Sequence, residues 1–197
     1  MTHPLKQLVD FYHPDTRGVD HAGRTLDEIL NWSDDQLEQS HDYIQVLFPL
    51  PEPSDSSAPE LNEDVIIYFR GDVQLREQVR RVLKRMLAFY GFDIAWHQEG
   101  PALEVEVTPL SENEQVFHRW LKYQDHNHLR ISRIIRSLRV LGLSREAAAV
   151  HRAFVRINQS MGLVVSVTTV LYWFFRSADP LSRGLGGEPI EWLRKFD

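Results

Sequence analysis

The chain contains no cysteine. Disulfides, a thiol nucleophile and every thiolate-ligated zinc site are therefore excluded, and the absence fits a reducing compartment. Long apolar runs are also missing. The longest, residues 163–175, is interrupted by Ser166, Thr168 and Thr169 and falls short of the ~20 residues a membrane-spanning helix needs. A buried core helix over about 163–176 is the expectation, with no transmembrane segment. The first residues carry no apolar signal segment, so a cytoplasmic location is expected. No glycine-rich phosphate loop is present, because Gly184, Gly186 and Gly187 follow no strand and open no helix. A nucleophile elbow is missing too; Ser132 and Ser137 sit inside a helical pattern where their hydroxyls can bond backbone carbonyls. No cofactor, bound metal or catalytic residue is expected.

What remains is an ordinary globular composition. Hydrophobic residues make up 43% and charged residues 25% of 197 positions, which suits one domain over 1–197 with a sizeable core. The fold class expected is all-α, a multi-helix bundle with a small β-hairpin around 93–107. Two capping boxes, Thr25-Leu26-Asp27-Glu28 and Ser33-Asp34-Asp35-Gln36, open helices. The first runs through about Asn31. The second carries Leu37, His41, Ile44, Leu47 and Phe48 at helical spacing until Pro49, Pro51 and Pro53 end it. Residues 51–62 read as an exposed loop. Residues 73–90 are the clearest amphipathic helix, with Leu75, Val79, Leu83, Met86, Leu87 and Tyr90 in its stripe and Gly91 as its stop. Ile94 and Trp96, then Leu103, Val105 and Val107, alternate about a turn at 98–101. Helix returns over about 113–141, stops at Gly142, and resumes with Ser144 as cap. Residues 177–197 form a tail whose Ile190, Trp192, Leu193 and Phe196 can dock on the body.

Charge is segregated. Residues 27–64 hold eleven Asp or Glu and no Lys or Arg, whereas 119–156 hold nine Lys or Arg against Asp125 and Glu146. Complementarity between the two segments is expected, with Arg130 and Arg133 paired to carboxylates of 27–64. The competing reading is a basic docking face. Arg130, Arg133, Arg136 and Arg139 step by three and so spiral around a helix, and a net charge of −6 opposes nucleic acid as a partner.

Two segments mix polar and large apolar residues in a way a generic core does not require. One is His41-Asp42-Tyr43-Ile44-Gln45-Val46-Leu47-Phe48-Pro49-Leu50; the other runs from His126-Asn127-His128-Leu129-Arg130 to Leu138. His128 falls on the apolar stripe with Ile131, Ile135 and Leu138. A buried imidazole needs a partner at each nitrogen, so a polar network is expected, built from His41, Asp42, His126, Asn127 and Arg133 and joining the two segments. The alternative is a metal-dependent hydrolase of the HD-like helical type using His41, Asp42 and His126, whose full ligand spacing is missing. The tryptophans and Tyr172-Trp173-Phe174-Phe175 are read as packing.

The two segments, with Met86-Leu87-Ala88-Phe89-Tyr90-Gly91 between them, resemble the opioid growth factor receptor conserved-domain family. The second signature matches at His126, Asn127, Leu129, Arg130, Ile131, Arg133, Ile134, Leu138, Leu141 and Gly142. The first departs at Val46, where the family carries Trp. The likeness spans about 26–175 and is of the short, stand-alone microbial type, without the long C-terminal extension. It implies an all-helical fold and receptor-like binding. In animal members it implies recognition of met-enkephalin and peripheral association with the nuclear envelope. It supplies no catalytic residues. The function expected is a non-enzymatic binding module for an unknown peptide, protein or small anionic ligand, in a pocket lined by Tyr43, Gln45, His128 and Arg130.

Overall fold

The computed structural model describes residues 3–52, 58–99 and 102–197. It is predominantly helical, with one two-stranded antiparallel sheet. The described residues gather into two compact units: one holds those up to 83 with 140–142 and 180–197, the other 84–139 and 143–179.

The first unit contains α1 (His3–Tyr12), α2 (Leu26–Leu30), α3 (Asp34–Gln39), α4 (Tyr43–Leu47), α5 (Glu63–Gly71) and residues 73–83 of α6 (Val73–Phe89). Both capping boxes form. Thr25 accepts from the Glu28 amide while the Glu28 carboxylate accepts from Thr25, and Ser33 and Gln36 do the same for α3. Each cap stabilises its helix by roughly 1 kcal/mol. Leu8, Phe11, Tyr12, Ile29, Leu37, Phe69, Leu75 and Val79 are buried. The Tyr12 ring meets Phe11 and Phe69 edge-on at 5.4 and 5.3 Å, its hydroxyl donates to the Leu47 carbonyl, and burial pushes its pKa far up. The tail docks as expected. Leu193 is buried, Lys195 pairs with Glu63, and the Arg70 guanidinium lies 4.5 Å from the Phe196 ring.

Three features differ from the sequence reading. Helices α1 and α5 are additional to the expected ones; α5 carries the β-branched run Val65-Ile66-Ile67 that favours strands, but Asn62 caps it at the Val65 amide and Glu63 and Asp64 fill its first turn. The helix expected to carry His41 breaks at 40–42, separating α3 from α4. Within the expected loop at 51–62, Glu52, Ala58 and Leu61 are buried, Glu60 is exposed and Pro51, Pro59 and Asn62 are half-buried; residues 53–57 lie outside the described ones.

The second unit contains the end of α6, β1 (Phe92–Glu99), β2 (Ala102–Pro109), residues 127–139 of α7 (Asn127–Val140), α8 (Ser144–Ser160) and α9 (Val167–Ala178). Ile94 stands opposite Val107 and Trp96 opposite Val105, as the alternation requires; the tip at 100–101 lies outside the described residues. Gly91 makes the turn from α6 into β1 at φ +91, where an added Cβ would sit 2.6 Å from the Val116 carbonyl oxygen. Trp120 fills the centre, with ring centroids 4.6 Å from Phe154, 6.0 Å from Phe92 and 6.1 Å from Trp173. The long helix expected over 113–141 is interrupted. A short 3-10 turn (Glu114–Phe117) is followed by non-helical chain, and α7 starts only at Asn127. Ser144 is the first residue of α8, not its cap; Leu143 holds that position.

Candidate functional site

In the first signature, the chain folds back on itself before α4. Arg24 grips Asp42 through two parallel hydrogen bonds of 3.0 and 2.9 Å and also donates to Asp20 at 2.8 Å. The Asp20 side chain is fully buried and accepts from the amides of Ala22 and Arg24. Burial pushes the Asp42 carboxyl up, but the Arg24 guanidinium outweighs it and holds the group below its usual range. His21 approaches Asp42 at 3.5 Å, and Arg24 lies over the Trp32 ring at 5.4 Å. With its amide turned to satisfy both atoms, Gln45 donates to the carbonyls of His41 and Asp42. Such local hydrogen bonds compete with helix, which accounts for the break at 40–42. Tyr43 is buried, its ring 5.7 Å from Trp32; His41 is exposed.

The second signature builds a polar knot at the start of α7. Asp125 accepts from the Asn127 amide at 2.9 Å. Burial raises the Asp125 pKa, but that amide and the Lys122 ammonium together leave it lowered. The buried Asn127 side chain donates to the Arg119 carbonyl and accepts from Tyr90 and from Arg130 at 3.3 and 3.1 Å. His128 points inward as expected. Its Nε2 lies 2.7 Å from the Trp120 carbonyl, so it carries the proton, and Nδ1 faces the Thr169 hydroxyl at 3.4 Å. Burial lowers its pKa, opposed in part by the Trp120 carbonyl. Trp173 donates to the His128 carbonyl at 3.1 Å. Arg130 is buried, Arg133 half-buried and His126 exposed.

The four expected ligand residues thus divide between the units, Tyr43 and Gln45 in the first and His128 and Arg130 in the second. Among the described residues no three His, Asp or Glu are placed to hold a metal, and Asp42 is occupied by Arg24. No described helix is long and apolar enough to cross a membrane.

The chain's least expected surface is α9. The expectation for residues 163–176 is a buried helix, since a helix apolar all round belongs in a core. Only Trp173 and Arg176 of α9 are buried. Val167 is 75% exposed, Leu171 48%, Phe174 49% and Phe175 41%, with Leu163 and Tyr172 beside them. The helix places an arginine inside and leucine and phenylalanine outside. Arg176 lies 5.8 Å from the Tyr172 ring and accepts at its carbonyl from Arg139. On α8, which packs on α9 with His151 6.3 Å from the Phe174 ring, Arg145, Arg152 and Arg156 fall within about 40° of one another around the axis. Arg145 and Arg152 line a groove of about 330 Å³ with Leu103, Glu104, Val105, Ser144 and Ala148. From 147 to 178 the chain has no Asp or Glu. No periodicity argument finds this surface; the acid-free composition was its one legible sign.

These features define a helical fold with no metal-holding cluster among its described residues, an outward apolar α9 and exposed arginines on α8. Residues 6–180 match the model of the opioid growth factor receptor (OGFr) conserved region, and the chain belongs to that family. It is 37% identical over 136 residues to the rat opioid growth factor receptor, covering 67% of this chain and 22% of that one. The human opioid growth factor receptor is 33% identical over 149 residues, 74% of this chain and 21% of that one. Rat opioid growth factor receptor-like protein 1 is 37% identical over 127 residues, 61% of this chain and 25% of that one. The chain thus spans about a fifth to a quarter of the length of these relatives. No solved structure matches it.

Proposed function

We propose that this chain is a non-enzymatic docking module whose α8–α9 surface receives an acidic amphipathic helical segment of a partner protein. The observation that carries the proposal is the inverted α9, apolar outward within an acid-free stretch. A contiguous exposed apolar face of this kind is the usual mark of an interaction surface, and helix-on-helix docking is a standard way to cover one. Arg152 and Arg156 have no partner among the described residues, so the charge that complements them is negative. The overall charge of −6 works against an anionic membrane as the occupant. The relatives are named receptors, and binding is the one property carried over from them. Tyr43, Gln45, His128 and Arg130, proposed from the sequence as ligand contacts, serve on this reading to hold the frame; burial of Tyr43, His128 and Arg130 supports that role. A cysteine-free chain suits a cytoplasmic setting.

The test uses a fluorescently labelled synthetic amphipathic helix with leucine on one face and glutamate on the other, and its lysine counterpart. Saturable binding of the glutamate peptide alone is expected. It should be lost in Leu171→Ser/Phe174→Ser, and it should be weaker and less salt-dependent in Arg152→Gln/Arg156→Gln. Equal binding of both peptides, capture by phosphatidylserine vesicles without peptide binding, or occlusion of the face by a second copy in sedimentation would each overturn the proposal.

A further inference from the structure

The first unit holds a separate cavity of about 310 Å³ lined by residues that include Tyr12, His13, Arg17, Leu26, Asp27 and Arg81. We propose that it binds a small carboxylate with an apolar body, held by Arg17. The volume lies at the lower end of the range for small-molecule sites. Its floor is apolar, since Phe11, Tyr12 and Leu26 are buried. Its rim is rich in donors. The Asp15 amide donates to Nδ1 of His13 at 3.3 Å, which leaves Nε2 of that ring carrying the proton. Arg81, also in the lining, is already paired with Asp27 at 2.6 Å.

Arg17 is the unspent group. Its guanidinium has no partner among the described residues, and its backbone sits at φ +47, a conformation that a side chain resists and glycine accepts. The loop that holds it there is firmly built. Gly18 donates to the Asp10 carbonyl at 2.8 Å and Arg17 to His13 at 3.3 Å, and a Cβ at Gly18 would lie 2.6 Å from the Asp10 carbonyl carbon. An exposed arginine held where glycine would be easier, at the polar rim of a cavity with an apolar floor, presents its fork of donors to that cavity. That fork matches a carboxylate two-for-two. A phosphate dianion suits the site less well, because only one cation of the lining is unpaired and the Asp27 carboxylate shares that lining.

Titration of the full chain with phenylbutyrate, phenylbutanol and phenyl phosphate, followed by calorimetry, tests the assignment. Phenylbutyrate should bind saturably, and the neutral alcohol about tenfold or more weaker, as the loss of a charge-assisted pair requires. Arg17→Gly suits the backbone, so the variant should stay folded and lose binding by a similar factor; Arg17→Lys should retain part of it. The site is refuted by unchanged affinity in Arg17→Gly, equal binding of the alcohol, tighter binding of phenyl phosphate, or no saturable binding of phenylbutyrate. Each of these results is independent of the α8–α9 surface.

Discussion

Replacing His128 by leucine keeps the bulk of the side chain and removes its polarity, and the structure allows the cost to be worked out. Nε2 donates to the Trp120 carbonyl at 2.7 Å, and the ring stands edge-on to Trp173 at 5.6 Å. Leucine leaves a buried carbonyl short of its donor, at ~1–3 kcal/mol, and forfeits an aromatic contact of ~0.5–1.5 kcal/mol. A loss of about 2–4 kcal/mol follows, a large share of the ~5–15 kcal/mol that holds a domain together. Glutamine can still reach the carbonyl, so His128→Gln should lose about half as much. The pH dependence gives a second reading. Burial lowers the His128 pKa below its ordinary value of 6.5, so the unfolded chain takes up the proton first. The stability tied to neutral His128 is therefore complete above that value and declines as pH falls toward the folded pKa. Urea unfolding between about pH 7 and 5 should show this slope in the parent and a shallower one in both variants. His151, also lowered by burial, keeps a residual slope. A His128→Leu protein as stable as the parent, with an unchanged slope, would refute the reasoning.

Other expectations follow the same logic. Arg24→Met strands the buried Asp20 carboxylate and should cost about 3–5 kcal/mol, whereas Asp42→Asn, at a half-exposed carboxylate, should cost about 1 kcal/mol or less; equal losses in urea melts would contradict the assignment. Gly91→Ala forces a Cβ into the Val116 carbonyl at positive φ and should lower stability by at least ~2 kcal/mol, read as a drop in melting temperature. Leu171→Ser/Phe174→Ser alters only exposed positions and should shift stability by less than about 1 kcal/mol; cooperative unfolding lost in that variant would place α9 in the core after all.

The parts of the fold that were legible in the sequence are those with a local cause. The capping boxes, the stripe of α6 and the alternation of the hairpin each follow from residues within a few positions of one another. The expectations that failed depended on distant partners. Nothing near Asp42 announces that Arg24 will hold it and break the helix there. Nothing near Asn113 announces that the chain will leave helical form until Asn127, where Arg119, Tyr90 and Arg130 converge on one amide. His128 was legible as an inward residue from its register, but the carbonyl it would meet was not. For α9, a helix apolar on every side gave no indication of which side the core would take, and the core took Trp173 together with an arginine.

The five tryptophans divide between the two units, Trp32 and Trp192 in one and Trp96, Trp120 and Trp173 in the other. Trp120 and Trp173 are sealed from water, and each gives its indole N–H to a backbone carbonyl; Trp32 and Trp192 are half-buried. The chain therefore carries its own optical labels. Blue-shifted emission belongs to Trp120 and Trp173 of the second unit, so fading of the blue band reports the opening of that core; the red side mixes Trp32 and Trp192 with the half-buried Trp96 of the second unit. Substituting Trp32 and Trp192 by phenylalanine would leave a chain whose fluorescence answers for the second unit alone. With no native thiol to compete, one introduced cysteine could then time the two openings against each other by energy transfer.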